Sequence, residues 1–522
     1  MARVTITKYS RGIKVTTRDQ SALLVIRNFN RGLKQPKINK ERGRVFVTEG
    51  ENFYAYNKRE DAYYYIGALF KELTEQFDMY NVGQSDITRI TYDVIEVEPT
   101  KGRTVDFKNH TLNLIEPEDS PFVEQNDVIR KAIEESRDHA ILEVQTGRGK
   151  TAMGQKIIVA REKRAMIITK AAYVDKWKGD LTEKKNSLSL KPGELIVVKG
   201  VSAMNDLIEM GRDGDLDSGK GRRVNKVILV SSNTFELWMK EVLSGAIAID
   251  PTEVLEILKV GTVLYDESHQ FFRMNYVSFL LLNPSYVIDL SATLIPRQTD
   301  EFAKSRYRER FPPRSRIEME YVKYIEALSI YYHTGNKELL RRINRMKMYN
   351  HIEFEKFIMK RKPLIAKYFD MIAVLLEKFY VANYQKGQKA LVFFASQHMC
   401  TAFVEYIKER LPDFDVQRNI QGDNYKKFVA ADIGVSTPGK SGTAVDIPGL
   451  IFSVVSVAIG KEDTNLQILG RTRQDRTWGL KPKVIFLHCE ELRKHIDYLN
   501  VRRKVFENRV ESFKILNSGF NL

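Results

Sequence analysis

The sequence is poor in cysteine: among its 522 residues only Cys400 and Cys489 are present. Two cysteines exclude a disulfide framework and a cysteine-based zinc site, so both are expected to be buried as small apolar side chains. The chain also lacks long apolar runs. Its start contains no signal-peptide core, and its most apolar later stretch, 277–282, is too short to cross a bilayer. We therefore expect a soluble, cytoplasmic protein without a membrane partner.

Length and charge bound the class of protein. A chain this long exceeds what one hydrophobic core supports, so about three domains are expected. Lysine and arginine number 83 against 67 acidic residues, which leaves a net charge of +16. Such a surplus favours a polyanionic partner such as nucleic acid or an acidic membrane face, between which charge alone does not choose, and it would also suit an acidic protein.

The positive charge is concentrated at the N-terminus. The first 44 residues contain twelve Lys or Arg but only Asp19 and Glu41, a balance of +10, and a cluster of aromatic residues follows. Basic charge beside exposed rings is typical of a nucleic-acid stacking surface. The alternative is that most of the rings form the core of a small domain. The rings are those of Phe53, Tyr54, Tyr56, Tyr63, Tyr64, Tyr65, Phe70 and Phe77.

From about residue 122, short apolar runs alternate with helical stretches, which is typical of a parallel sheet wrapped by helices. The strands predicted for a first sheet are 141–144, 165–169, 195–198, 227–231, 262–265 and 287–290. Those predicted for a second sheet are 390–395, 416–420, 434–437, 452–458 and 484–488, with a closing helix around 490–508.

The predicted fold class is therefore α/β, with two parallel-sheet lobes and a small basic α+β domain in front of them. The predicted domains are a basic N-terminal domain (1–110), a first lobe (111–300), a basic helical linker (301–386) and a second lobe (387–522).

The motif QTGRGKT, 145–151, directly follows a predicted strand and opens a predicted helix. Glycines in such a loop let backbone N–H groups close around phosphates, and the helix N-terminus adds positive potential. Lys150 would reach the β and γ phosphates of ATP, and Thr151 would ligate Mg²⁺. The usual pattern has glycine at position 144, where this chain has Val144. The predicted phosphate loop comprises Thr146, Gly147, Arg148, Gly149, Lys150 and Thr151.

The motif VLYDESH, 263–269, places two carboxylates at the end of an apolar strand, where ligands bind in open parallel sheets. Asp266 would hold Mg²⁺, and Glu267 would orient or deprotonate the water that attacks the γ phosphate. A solvated turn is the alternative for such a pair. The catalytic interpretation is favoured because Lys150 follows another strand of the same predicted sheet.

DESH resembles the DExH box of superfamily 2 helicases, and other motifs of that family follow the same order: a glutamine before the phosphate loop, SAT at 291–293 and QILGR at 467–471. The resemblance covers roughly 122–490. It implies two RecA-like lobes, ATP hydrolysis with Mg²⁺ and movement along nucleic acid. A short basic domain ahead of a compact motor is similar to the phage UvsW-type recombination helicases, which implies DNA repair and recombination in a host cytoplasm.

The resemblance also implies roles for residues of the first lobe. Gln125 would contact adenine, although a surface glutamine on a helix is the alternative. His269 would relay between nucleotide and nucleic acid rather than bind a metal. Ser291 and Thr293 would couple hydrolysis to lobe movement, and a hydroxyl turn that closes a strand is their alternative.

In the second lobe, Arg471 matches the arginine finger of the family, with Gln467 beside it, and a plain surface arginine is the alternative. The family has a second arginine where this chain has Gln474, so either Arg473 or Arg476 would replace it. The segment 437–446 looks like the motif that links ATP to nucleic acid, but its spacing leaves Asp446 without an assigned role.

Several residues fall where relatives of this family contact a nucleic-acid strand. Such contacts carry no sequence information, so binding is expected to be independent of sequence and sensitive to salt. Trp177 fits a packed core equally well. The predicted contacts are Lys170, Trp177, Ser232, Thr437 and Gly442.

The function expected from these features is that of an ATP-dependent helicase that unwinds or branch-migrates DNA. ATP bound between Lys150, Glu267 and Arg471 would close the two lobes, and hydrolysis would reopen them. Motors of this type can act as monomers. The alternatives are an RNA helicase, the motor subunit of a restriction or nuclease complex, and a basic DNA-binding scaffold without enzymatic activity.

Overall fold

The computed structural model describes residues 2–522 apart from 36, 42–43, 49, 87, 121, 146, 184–185, 219–222, 293, 295–300, 345–348, 442–446 and 473–477. At 2, 37–41, 44–48, 218, 441 and 463 it describes the backbone alone. The chain divides into two units, Met1–Met319 and Glu320–Leu522. No helix in the described part of the chain is both long and apolar enough to span a membrane.

The N-terminal domain is a mixed sheet with two helices. Its five-stranded sheet has the order β5-β6-β2-β1-β7, in which β1 and β7 run parallel and the other pairs antiparallel. The strands β3 and β4 form a separate hairpin. The elements are β1 (Ala2–Lys8), β2 (Gly12–Thr17), α1 (Gln20–Gly32), β3 (Lys37–Glu41), β4 (Arg44–Thr48), β5 (Ala55–Asn57), β6 (Ala62–Ile66), α2 (Phe70–Asn81) and β7 (Ile90–Glu96).

The first lobe is a seven-stranded sheet in which every pair is parallel, in the order β10-β11-β9-β12-β13-β8-β14. Its strands are β8 (His139–Glu143), β9 (Ala165–Thr169), β10 (Leu195–Val198), β11 (Val227–Ser231), β12 (Thr262–Asp266), β13 (Tyr286–Ser291) and β14 (Arg316–Glu318). Its helices are α3 (Gln125–Arg130), α4 (Lys150–Arg161), α5 (Val174–Thr182), α6 (Val201–Arg212), α7 (Asp215–Ser218), α8 (Ser232–Ser244), α9 (Val254–Ile257), α10 (Phe272–Leu281) and α11 (Glu301–Arg310).

The second lobe repeats this architecture, with seven parallel strands in the order β17-β18-β16-β19-β20-β15-β21. Its strands are β15 (Glu326–His333), β16 (Lys389–Phe393), β17 (Val416–Asn419), β18 (Ile433–Ser436), β19 (Leu450–Val455), β20 (Lys483–Cys489) and β21 (Ser512–Asn521). Its helices are α12 (Lys337–Asn344), α13 (His351–Met359), α14 (Lys362–Phe379), α15 (Gln397–Arg410), α16 (Tyr425–Ala430), α17 (Pro438–Ser441), α18 (Glu462–Leu469) and α19 (Arg493–Phe506).

The predicted fold class is confirmed: two tandem RecA-like lobes follow a small α+β domain. All eleven predicted strands are present, and the closing helix is α19. The range 301–386, which was predicted to be a linker, is divided between the two units in the structure. Strand β14 pairs with β8 of the first sheet, whereas β15 lies between β20 and β21 of the second. Both cysteines are buried, as expected.

The N-terminal domain is built into the first lobe. One continuous apolar core contains residues of both, from Val4 to Val287. Arg11, which is 6% exposed, donates hydrogen bonds to the carbonyl oxygens of Pro284 (2.6 Å) and Asp138 (2.6 Å) of the lobe. Such a buried, hydrogen-bonded guanidinium anchors the domain, so the two parts are expected to move together.

Part of the N-terminal positive charge is paired inside this unit. Lys14 lies 2.6 Å from Glu60 and 2.8 Å from Asp250, and Arg11 contacts the Asp138 carboxylate. A count of charges from sequence therefore overstates the charge that this domain presents to a polyanion.

The aromatic cluster is divided between core and surface. Phe53, Tyr64, Tyr65 and Phe77 are buried, which agrees with the core interpretation. Tyr54, Tyr56, Tyr63 and Phe70 are only partly buried.

Candidate active site

The phosphate loop connects β8 to α4 at the carboxyl edge of the first sheet. Gly147 (φ 88°) and Gly149 (φ 82°) both adopt the left-handed conformation that favours glycine. A Cβ atom at position 149 would lie 2.3 Å from Gln125 Nε2. Helix α4 then begins at Lys150 and buries Met153 and Ile157 beneath the loop. The residues at 147–151 thus form a turn whose N–H groups can surround an anion, while Thr146 lies outside the described residues.

Gly149→Ala is expected to lower affinity for ATP by at least about tenfold. The substitution places a side chain in a left-handed position, which costs roughly 1–2 kcal/mol, and also pushes Gln125 away from the loop. Titration with a fluorescent ATP analogue would measure the loss. Gly179→Ala on α5, where an added Cβ meets nothing within 4 Å, is the matched control. Equal affinities in both variants would contradict the assigned loop.

Gln125 is buried, with 2% of its surface exposed, which rules out the surface-glutamine alternative. Its Nε2 donates to the Arg148 carbonyl (2.9 Å), and its Oε1 accepts from Lys156 Nζ (3.1 Å). Lys156 in turn pairs with Glu116 at 2.6 Å. Gln125 therefore holds the phosphate loop to helix α4, and its contact with adenine stays a prediction.

The two carboxylates lie where β12 ends. Asp266 Oδ2 accepts hydrogen bonds from Thr169 Oγ1 (2.9 Å) and from Trp177 Nε1 (2.7 Å). Burial and the adjacent Glu267 charge raise the pKa of Asp266, and the hydrogen bond from Trp177 opposes that shift. Lys150 Nζ lies 3.1 Å from Glu267 Oε1. The structure therefore brings the predicted phosphate-binding cation and both predicted acidic residues into one site.

Glu267 has a left-handed backbone (φ 48°), which is rare for a residue with a side chain and often marks a functional position. Its Oε2 lies 3.6 Å from His269 Nδ1, and the same nitrogen lies 2.7 Å from Ser291 Oγ. Both His269 and Ser291 are buried. A polar contact path thus leads from the DESH segment to the end of β13, while Thr293 of the SAT motif lies outside the described residues.

The residues present fit ATP with Mg²⁺. Two left-handed glycines and the start of α4 lie beside Lys150, in an arrangement that could hold an anion. Thr151, on the first turn of α4, and the second carboxylate oxygen of Asp266 are oxygen ligands of the kind that Mg²⁺ accepts together with water and phosphate oxygens. Asp266 Oδ2 is already engaged by two donors, so Oδ1 is the oxygen left to face a metal.

Two residues of the first lobe that were predicted to contact nucleic acid have buried side chains. Trp177 is 1% exposed and its indole nitrogen bonds Asp266, so its ring packs in the core and cannot stack on a base. Ser232, the first residue of α8, is 3% exposed and its hydroxyl is buried. Lys170 follows β9 directly and is partly exposed, with Nζ 5.9 Å from the Tyr173 ring centroid.

A buried ionic network that the sequence did not reveal supports β13. Asp289 accepts two hydrogen bonds from Arg310 (2.7 and 2.9 Å) and one from His139 Nε2 (2.6 Å), and Asp289 and Arg310 have no exposed surface. The Arg310 guanidinium lies 4.0 Å from the Phe279 ring centroid. Burial favours the neutral acid, but the Arg310 charge and the His139 hydrogen bond outweigh it and lower the pKa of Asp289. The network joins β13, β8 and α11 behind Ser291.

In the second lobe, Gln467 lies on α18 and Arg471 follows that helix, both partly buried. Helix α18 is held by Asn465, which donates to the Ile459 carbonyl (3.1 Å) and accepts from Arg502 Nε (3.2 Å). Asn465 and Arg502 were not predicted from sequence. Thr437 directly follows β18. Four other predicted residues lie outside the described part of the chain: Gly442, Asp446, Arg473 and Arg476.

No family model matches the chain, and no curated protein matches it. Solved structures resemble it at low identity. S. cerevisiae Dbp5 bound to RNA and ADP BeF3 is 13% identical, with 77% of this chain and 90% of that one covered and a TM-score of 0.47. A fragment of an HsdR subunit of a type I restriction enzyme from Vibrio vulnificus is 12% identical, covers 98% of this chain and 88% of that one, and has a TM-score of 0.46. A DEAD box protein from Methanococcus jannaschii is 14% identical, covers 75% and 92%, and has a TM-score of 0.40. Likeness at this level leaves the activity to be inferred from the site itself.

Proposed function

We propose that this protein is an ATP-dependent helicase or translocase that acts on DNA. Its proposed activity is to unwind or branch-migrate forks and junctions. The observation that carries the proposal is the meeting of Lys150 with the Asp266–Glu267 pair beside a left-handed glycine loop. This combination of an anion site, a cation and two carboxylates is the chemistry that phosphoryl transfer from ATP to water requires.

Lys150 and Glu267 are proposed to change partners during turnover. Their ion pair at 3.1 Å keeps the carboxylate from serving as a base. When Lys150 instead contacts the β and γ phosphates of ATP, Glu267 is released to orient and deprotonate the attacking water. Thr151 and Asp266 would hold Mg²⁺, which neutralises charge that develops on the phosphate oxygens.

His269 and Ser291 are proposed to transmit the nucleotide state of this site to the end of β13. A shift of Glu267 changes the environment of His269, which touches both Glu267 and Ser291. Arg471 and Gln467 of the second lobe are proposed to contact the γ phosphate, since an arginine supplied to that oxygen stabilises the transition state. Repeated closing and reopening of the lobes would then move the motor along a strand.

DNA is proposed as the track because of the N-terminal domain. Its exposed Arg27 lies beside Tyr63, and the Tyr56 and Tyr63 ring centroids are 4.7 Å apart. Partly exposed rings next to a cation suit contacts with unpaired bases and phosphates. Because this domain shares its apolar core with the first lobe, DNA held there would be held by the same unit that carries the proposed ATP site.

The proposal is tested by measuring ATP hydrolysis without nucleic acid and with single-stranded DNA, duplex DNA, a four-way DNA junction and matched RNA. We expect at least tenfold stimulation by DNA, greatest with the junction, and a dependence on salt that reflects phosphate contacts. Stimulation by RNA alone would favour an RNA helicase, and cleaved DNA ends would favour the motor of a nuclease complex. Absence of ATP turnover under every condition would leave only a binding scaffold.

A further inference from the structure

One strand-to-helix segment supplies both hydrogen bonds that hold the predicted Mg²⁺ carboxylate. Thr169, the last residue of β9, donates from Oγ1 at 2.9 Å, and Trp177, on α5, donates from Nε1 at 2.7 Å. Both reach the same oxygen, Asp266 Oδ2. With that oxygen fixed from two directions, the carboxylate cannot rotate without breaking a hydrogen bond, and Oδ1 keeps one orientation.

The same segment has a surface end. Lys170, between Thr169 and α5, is partly exposed, whereas Trp177 is buried with 1% of its surface accessible. Helix α5 also contacts the helix of the phosphate loop, because Gln155 Nε2 on α4 donates to the Asp180 carbonyl at 3.2 Å. The chain that joins Lys170 to Trp177 is short and is anchored by the buried Tyr173 and Val174, so it can connect a contact at Lys170 to the Trp177 hydrogen bond.

We infer that Trp177 is a positioning residue of the ATPase reaction, and that the Thr169–Trp177 segment is the route by which nucleic acid held at Lys170 adjusts the Mg²⁺ site. The inference rests on the proposed function and specifies how its regulation works. Nucleic acid that binds Lys170 displaces the start of α5. This displacement alters the hydrogen bond from Trp177 to Asp266 Oδ2 and therefore the direction in which Asp266 Oδ1 points. The burial of the Trp177 ring, and not its position in the sequence, places this residue away from the nucleic acid itself.

Trp177→Phe tests this inference because phenylalanine keeps an aromatic ring in the core and removes the N–H donor. We expect the Mg²⁺ concentration for half-maximal ATPase activity to rise about 10- to 100-fold, the range seen when a partner of a metal ligand is lost. Stimulation by DNA should fall to less than twofold, while DNA affinity measured without nucleotide stays within twofold.

The chain offers a matched control. Trp238, on α8, is also fully buried, but its Nε1 donates to Asn205 Oδ1 at 3.1 Å and not to a predicted site residue. Trp238→Phe should therefore leave Mg²⁺ activation and DNA stimulation within twofold. Thr169→Val provides a second, independent removal of a donor to Asp266 Oδ2 if Trp177→Phe does not fold, and Thr169→Ser should restore the wild-type values.

The outcomes separate the two proposals. Wild-type ATPase that DNA does not stimulate would refute the proposed function. Normal DNA stimulation in the wild type, together with a Trp177→Phe variant that matches Trp238→Phe in Mg²⁺ activation and in stimulation, would overturn the inference alone. A shift in Mg²⁺ activation with unchanged stimulation would support the positioning role and refute the route from Lys170.

Discussion

Replacement of Glu267 by glutamine is expected to lower kcat for ATP hydrolysis by about 10²- to 10⁴-fold, the contribution typical of a general base. The amide has the shape of the carboxylate but cannot accept a proton from water. It also removes the ion pair that Lys150 makes at 3.1 Å, so Lys150 no longer has to leave a carboxylate to contact phosphate. Affinity for ATP should therefore be equal or higher, even as turnover is lost.

Steady-state ATPase assays with and without DNA, together with equilibrium binding of a fluorescent ATP analogue, would measure both effects. Glu256→Gln is the matched control, since Glu256 is an exposed residue of α9 in the same lobe. Its kcat should stay within twofold of the wild type. If Glu267→Gln retained more than a tenth of the wild-type kcat with DNA present, Glu267 could not be the base.

Replacement of Asp289 by asparagine is expected to lower the free energy of unfolding of the first unit by about 3–5 kcal/mol. Arg310 has no exposed surface, and its two Nη atoms both donate to the Asp289 carboxylate. Removal of the acid leaves a guanidinium charge buried without a counter-charge, which costs more than the ion pair contributes. Arg310→Met should be damaging for the same reason, because it strands the carboxylate.

Urea denaturation followed by tryptophan fluorescence is suited to this measurement, because Trp177 and Trp238 both lie in the first unit and only Trp478 lies in the second. Asp93→Asn serves as the comparison. Asp93 pairs with Arg3 at the surface, where its side chain is 52% exposed, so its loss should cost less than about 1 kcal/mol. A cost below about 1 kcal/mol for Asp289→Asn would show that the network does not stabilise the lobe.

The stability lost in Asp289→Asn should become smaller as the pH is lowered. The pKa of Asp289 in the folded protein lies below its ordinary value of 3.8. The group therefore contributes its full stability above that ordinary value, and loses it as pH falls through the lower folded pKa. The difference between wild type and Asp289→Asn should be constant from pH 5 to 7 and should shrink below about pH 4.

Most strands were predictable because both sheets are parallel and covered by helices. A strand buried on both faces reads as a continuous apolar run, as in 165–169 or 227–231. The missed strands lack that signal. Strand β14 has three residues, two of them charged, and β21 lies at the edge of its sheet with mostly exposed side chains. Strand β15 was hidden in a basic, helix-rich stretch.

The residues of the candidate site were likewise predictable only in part. Lys150, Asp266 and Glu267 could be proposed from local patterns, since a glycine loop before a helix and acids after a strand occupy known positions on a parallel sheet. Trp177 could not be assigned, because its hydrogen bond to Asp266 joins residues 89 positions apart in the chain. An indole ring in a sequence looks the same whether it stacks on a base or packs in a core.

The sequence by itself determined the α/β class, the order of the strands along the chain and the places of the glycine loop and the acidic pair after their strands, because each depends on neighbouring side chains and backbone turns. Tertiary structure decided the order of strands within each sheet, the merging of the N-terminal domain with the first lobe and the pairing of Asp289 with Arg310. It also decided how much of the N-terminal charge is available, since Lys14 is neutralised by Asp250 from 236 positions away. Burial and long-range contact set these properties, and no local pattern encodes them.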